Sequence, residues 1–219
     1  MTSLPRKPYR VPAVLRDLQL VDFLELTGST TASAAQIGVS QPSVSRRYRA
    51  LAADLELQRL PGDPIGKRYG HTPWLQLLRQ GINSHRLAWG VLRIGGADAT
   101  TMGLKGQCGV EWVTLGRRQW QHWQPLLQQE LLDAVALQEL PPEEAAVTLP
   151  YRLLRCPNGW LACRPEQQVL RLAVQLCDPR TWAAAPDRQS FRREACSGRH
   201  TSQANPGVGN LLSVAAASR

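Results

Sequence analysis

The stretch Ser29 to Leu55, STTASAAQIGVSQPSVSRRYRALAADL, constrains the fold of this chain more than any other. Val44, Tyr48, Leu51 and Leu55 recur at i, i+4, i+7 and i+11, so they share one face of a helix. Ser43, Arg46, Arg47 and Ala50 turn the other way. Ser40 is a natural N-cap, and Pro42 falls in the first turn, where its missing N–H costs nothing. Upstream, Ala32, Ser33, Ala34 and Ala35 make a short helix of small residues, ended by Gly38, with Val39 placed to plug a core beneath the turn. Two short helices joined by a three-residue turn form a helix-turn-helix, and a Ser/Arg face anchored by an apolar one suits the major groove of DNA.

The flanking segments complete such a domain. Leu15 to Thr27 is a helix with Leu15, Leu18, Val21, Phe23 and Leu24 apolar; Gly28 ends it in a left-handed cap, and Ser29 or Thr30 starts the next. RLPGDPIGKRYGHTP, from Arg59, is rich in Gly and Pro and reads as a β-hairpin or extended loop, a wing beside the second helix. Thr72 then caps a fourth helix with Pro73 at its first position. Its seam of Leu75, Leu78, Ile82 and Trp89, weakened by Gly81 and interrupted by His85, serves either burial within the domain or dimer formation.

From Val91 onward the pattern becomes α/β. Strands are expected at Val91–Ile94, Val110–Leu115, Val135–Leu137, Tyr151–Arg155 and Trp160–Cys163. Helices are expected at Gln119–Leu132, with Trp120, Trp123, Leu127 and Leu131 inward, and at Glu166–Leu176. This alternation favours a partly parallel sheet. The fold class is therefore α+β and multidomain. Residues 1–13 form a flexible basic arm, either a loose terminus or a segment lying along phosphates. Residues 14–72 form a winged helix-turn-helix, 73–90 a linker and dimerisation helix, and 91–186 a reduced α/β lobe. The polar tail 187–219 is expected to be disordered.

Charge locates the partner. The net charge of +9 is concentrated in residues 1–93, which hold 13 Lys/Arg against 6 Asp/Glu; residues 94–186 hold 8 against 9. A polyanion should meet the N-terminal third. The five cysteines are odd in number and include no C-x-x-C pair, so free thiols in a reducing cytoplasm are expected, with Cys156 and Cys163 facing a core. The four histidines have no metal-ligand spacing, so no metal is expected, and no cofactor either. MTSLPRKPYRVP has no apolar signal region, and no window reaches a membrane span of about 20 apolar residues, so a cytoplasmic, nucleoid-associated protein is expected. No nucleophile–base pair or carboxylate pair stands out. Gly95-Gly96 after a strand lacks the further glycines of a phosphate loop, and no enzyme activity is expected.

The run Ile37-Gly38-Val39-Ser40-Gln41-Pro42-Ser43-Val44-Ser45-Arg46, preceded by Ser29, Ser33 and Ala34 and followed by Leu51, resembles the LysR-type transcriptional regulators over about residues 15–57. Leu92-Arg93-Ile94-Gly95 is similar to the opening strand of that family's effector domain, and Leu127 to Leu137 to its helix-to-strand passage. Ala52 and Glu56 depart from the family pattern, and its Leu-Phe-x-Arg segment is absent from Arg59–Asp63. The resemblance implies a transcription regulator that dimerises and binds double-stranded DNA. The family's effector region has two lobes, whereas the foldable part here has the length of one, so an inducer cleft is not expected.

On that reading Ser40, Gln41, Pro42, Ser43, Ser45, Arg46, Arg47 and Arg49 meet DNA from helix 40–56, joined by Lys67 and Arg68 of the wing. Gln41 is suited to adenine N6/N7 and Arg46 to guanine O6/N7. Arg47, Arg49, Lys67 and Arg68 suit phosphates. The alternative is a non-catalytic protein that heterodimerises with a full-length relative and modulates its DNA binding.

Overall fold

The computed structural model describes residues 9–12, 15–97, 103–104, 107–139 and 151–178. Its first helices end where the capping residues dictate. Helix α1 (Arg16–Thr27) stops at Gly28, whose φ of 66° is left-handed. A Cβ at Gly28 would also press on the side-chain amide of Gln119, but it is the left-handed turn that demands glycine there. Ser29 accepts from the N–H of Ala32 to cap α2 (Thr30–Ile37), which Gly38 ends at φ 70°. Ser40 accepts from the N–H of Ser43 to cap α3 (Gln41–Asp54), with Pro42 in its first turn. Val44 of α3 is fully buried among Leu18, Val21, Leu24 and Ala34, with Tyr48, Leu51 and Leu55 packed beside it.

Helix α4 (Pro73–Ala88) is capped by Thr72 and leads into a five-stranded mixed sheet of order β2-β1-β3-β5-β4. Strands β1 (Leu92–Gly96), β2 (Val110–Thr114) and β3 (Ala134–Leu137) are parallel; β4 (Arg152–Cys156) and β5 (Gly159–Cys163) form an antiparallel hairpin joined to β3 through β5. The expected partly parallel sheet is present. One of its faces carries Leu92, Ile94, Trp112 and Leu161 beneath α7 (Gln167–Cys177), which contributes Val169 and Ala173. The opposite face carries Val113, Val135 and Ala162.

Several expectations are corrected. The helix expected over Gln119–Leu132 is two short ones, α5 (Arg117–Gln121) and α6 (Trp123–Gln128). Pro125 has no N–H for the carbonyl of Gln121, and its ring crowds that carbonyl, so the helix breaks at His122. Leu127 and Leu131 point inward as expected, while Trp120 and Trp123 are only partly buried. Of the two forms expected after Arg59, β-hairpin or extended loop, the loop is present: residues 58–72 are turns and loop, with Leu60 N–H to Arg68 C=O (2.9 Å) linking its two limbs. Pro61 and Pro64 cannot donate to a ladder, and the backbone N–H groups of Gly66 and Tyr69 are taken by the buried carboxylate of Glu25.

Gly95 and Gly96 are packing residues, not a phosphate turn. A Cβ on Gly96 would lie 2.5 Å from the Trp112 ring, and one on Gly95 would lie 2.6 Å from Leu132. Cys156 is not a free thiol: it is joined to Cys177, Cα to Cα 4.8 Å, which ties the edge strand β4 to the end of α7. Cys163 faces the core as expected. Within the N-terminal segment, Tyr9 lies against α4, its ring 5.7 Å from His85 and 6.4 Å from Trp89. Of the expected arm at 1–13, residues 1–8 and 13 lie outside the described residues, as does the expected disordered tail at 187–219.

Phe23 and Leu26 of α1 and Ile65 of the loop pack in the same core cluster as Val113, Val135 and Ala162 of the sheet. A buried ionic network runs along the same seam. Asp22 of α1 accepts from Arg79 Nε of α4 (2.7 Å) and Arg93 Nη1 of β1 (3.4 Å), and Arg93 Nε donates to Glu111 of β2 (2.8 Å). Asp133, just before β3, receives Arg86, Arg164 Nη2 (2.9 Å) and the backbone N–H of Arg93 (2.7 Å).

Candidate nucleic-acid interface

With Val44, Tyr48, Leu51 and Leu55 held down, α3 turns its polar side out. Ser40, Gln41, Pro42, Arg46, Arg47 and Arg49 are exposed, and Ser43 and Ser45 are half-buried between them. The side chains are ordered among themselves. Ser40 Oγ and Ser43 Oγ are 2.8 Å apart, Arg46 Nη2 donates to Ser43 Oγ (3.5 Å), and Arg49 Nε donates to the carbonyl of Ser45 (3.3 Å). Arg47 pairs with Asp17 of α1 at 3.5 Å, with both side chains largely in solvent, so an incoming phosphate can displace that partner. Arg46, Arg47 and Arg49, along the middle of α3, form a positive surface, and the Ser-capped N-terminus one turn earlier adds the positive end of the helix dipole.

The loop contributes less than expected. Lys67 is half-buried, and Arg68 is turned inward at 9% exposure. Arg68 was expected on phosphates. Its inward turn goes with Glu25, whose carboxyl burial pushes up and whose charge Arg68 and Arg79, together with the N–H groups of Tyr69 and Gly66, partly restore. The same loop supports α3 from behind: Tyr48 Oη donates to the carbonyl of Tyr69 (3.0 Å), and the two rings meet edge to face at 5.6 Å. Burial raises the pKa of the Tyr48 hydroxyl, so it stays a neutral donor. Arg59 lies over the Tyr69 ring at 5.1 Å, which brings a cation close to α3.

Two participants escape the residue pattern of α3 itself. Thr30, first residue of α2, accepts from Gln41 Nε2 at 3.2 Å. The only sequence signal was its place beside the Ser29 cap, because the two helix starts meet only once the turn is folded. Gln36 reaches away, donating to the carbonyl of Trp112 at 2.7 Å, and so fastens α2 to β2. Among the described residues no group of His, Cys, Asp and Glu is placed to hold a metal, and no helix is long and apolar enough to cross a membrane.

No family model and no curated protein matches this chain. Solved structures do. A mutant of OxyR from Corynebacterium glutamicum is 17% identical with a TM-score of 0.27, over 67% of this chain and 50% of that one. HinK, a LysR family transcriptional regulator from Pseudomonas aeruginosa, is 21% identical with a TM-score of 0.27, over 64% and 51%. Full-length CbnR complexed with its target DNA is 17% identical with a TM-score of 0.23, over 65% and 54%. The chain spans about half the length of each.

Proposed function

We propose that this protein is a sequence-directed DNA-binding regulator of transcription, of the kind its 15–57 segment resembles, and that α3 enters the major groove by its N-terminal end. The observation that carries the reading is the geometry of α3: an apolar face buried to 0% exposure at Val44, opposite the outward Arg46 and Arg49, with Gln41 exposed in the first turn. Arg46 reads guanine O6/N7; Arg47, Arg49 and Lys67 neutralise phosphates and supply salt-dependent affinity. Arg68, being inward, supports the loop instead. Pairs of α3 helices from two copies, joined through α4, would read two half-sites.

The test is selection of bound sequences from random DNA with the full chain, followed by titration of Arg46→Ala. The variant should lose about tenfold or more on the selected site, matching 1–3 kcal/mol for a bidentate contact, and much less on random DNA at the same salt. Equal losses on both would remove Arg46 from base reading.

A second reading follows from the exposed apolar residues of α4, Trp74 at 69% and Leu77 at 60%. On it, the chain pairs with a full-length relative and modulates that partner's DNA binding. Absence of any selected sequence, with heterodimers on mixing, would favour it.

A further inference from the structure

The amide of Gln41 is exposed but already committed. Its Nε2 donates to Thr30 Oγ1 at 3.2 Å and to Ser45 Oγ at 3.3 Å. A side-chain amide has two N–H donors and one carbonyl oxygen. Both donors are engaged, one by the start of α2 and one by the residue a turn further along α3. What remains for a partner is Oε1, an acceptor. Bidentate pairing with adenine, the role the residue type alone predicts, needs a donor for N7 as well as an acceptor for the N6 amino group. Held this way, Gln41 accepts and does not donate.

We propose that Thr30 is a positioning residue for base reading. With Ser45 it fixes the Gln41 amide so that Oε1 meets a base with an exocyclic amino group in the major groove, adenine N6 or cytosine N4. The proposal rests on the reading of α3 as the DNA-reading helix. Guanine and thymine present O6, N7 and O4 there, all acceptors, and would set oxygen against oxygen or nitrogen. Thr30 is free for the task because Ser29 does the capping of α2, accepting from the N–H of Ala32. Its β-branched side chain has few rotamers, so the hydroxyl is held in place at small entropic cost. Each of the two bonds is exposed and weak alone; together they remove the rotation that would exchange donor and acceptor.

The experiment uses the full chain. Sequences selected by the wild type and by Gln41→Ala identify the base pair that Gln41 reads through its adenine N6 or cytosine N4 amino group. Thr30→Val, close in shape but without the hydroxyl, should lose preference at that position by about tenfold while the other positions stand; Thr30→Ser should keep it. Ser45→Ala, which breaks the other bond, should act in the same direction, and thermal melting checks that each variant is folded. Where the base is adenine, 7-deazaadenine should leave wild-type affinity within about twofold, because N7 is not used. It should weaken Thr30→Val, whose released amide can donate. An even loss at all positions in Thr30→Val, or about a tenfold wild-type loss on 7-deazaadenine, would overturn the proposal. In those cases the Arg46-dependent positions stay selective, whereas a wild type that selects no sequence would overturn the reading of α3 along with it.

Discussion

Asp133 has no exposed surface, and three donors converge on its carboxylate: Arg86, Arg164 and the N–H of Arg93. Burial on its own would push this carboxyl up; the charges of Arg86 and Arg164 and the hydrogen bonds outweigh it and hold it below the usual range. Removing the charge takes the buried partner from both guanidiniums, leaving Arg86 with Glu111 at 3.7 Å and Arg164 with Glu130 at 3.5 Å and Glu166 at 3.2 Å. An unpaired buried charge costs about 3–5 kcal/mol, so with these partners left Asp133→Asn should lower stability to urea by less than that at neutral pH. The sign with pH follows from the lowered folded value. The carboxylate's contribution is complete above the unfolded pKa of about 3.9 and is lost as pH falls through the lower folded one. The gap between wild type and Asp133→Asn should therefore shrink on acidification below that value; a gap that widens would contradict the network. Arg93 behaves consistently: burial opposes its charge, but Glu111 and Asp22 more than compensate, so it stays cationic.

At the scale of elements, β4 and α7 meet through Cys156 and Cys177, 21 residues apart in sequence. Closing a loop of that length stabilises by roughly 3 kcal/mol in the chain-entropy account. Cys177→Ser should lower the melting temperature of oxidised protein, and reductant should lower the wild type to about the level of the variant while leaving the variant unmoved. A wild type indifferent to reductant would show that the pair closes no stabilising loop. This pairing was not legible in the sequence, where the cysteines have no motif spacing; only the fold of the β4–β5 hairpin returns Cys156 to the end of α7. The helices and strands were legible, because Gly28, Ser29, Gly38, Ser40 and Thr72 act through bonds to near neighbours. The break at His122 was legible in principle through Pro125. The loop after Leu57 was not, since its shape is decided by Glu25, 41 residues from Gly66 and 44 from Tyr69.

For the whole molecule the decisive element is α4, because its two sides face different things. Inward, Leu75 and Ile82 join the core around α1–α3, Arg79 and Arg86 join the ionic network, and Leu87 joins the sheet core. The expected seam is thus spent within one copy, apart from Trp89, which is 45% exposed. Outward lies a second stripe at helical spacing: Trp74, Leu77, Gly81, Ser84 and Ala88, all exposed. A Cβ at Gly81 would meet nothing within 4 Å, so a second helix can approach closely there. An isologous pair of α4 helices would cover both tryptophans at once and set two α3 helices on one duplex. Leu77→Glu tests this, because Leu77 is 60% exposed and its loss leaves the core of one copy intact. At micromolar concentration the wild type should sediment near twice 24.3 kDa and the variant at 24.3 kDa. Affinity for a two-half-site duplex should fall on the order of a hundredfold as the second contact stops being intramolecular, while binding to a single half-site should hold. A wild type that sediments at the mass of one chain would show that α4 does not pair two copies, and the stripe would then belong to the heterologous partner of the second reading.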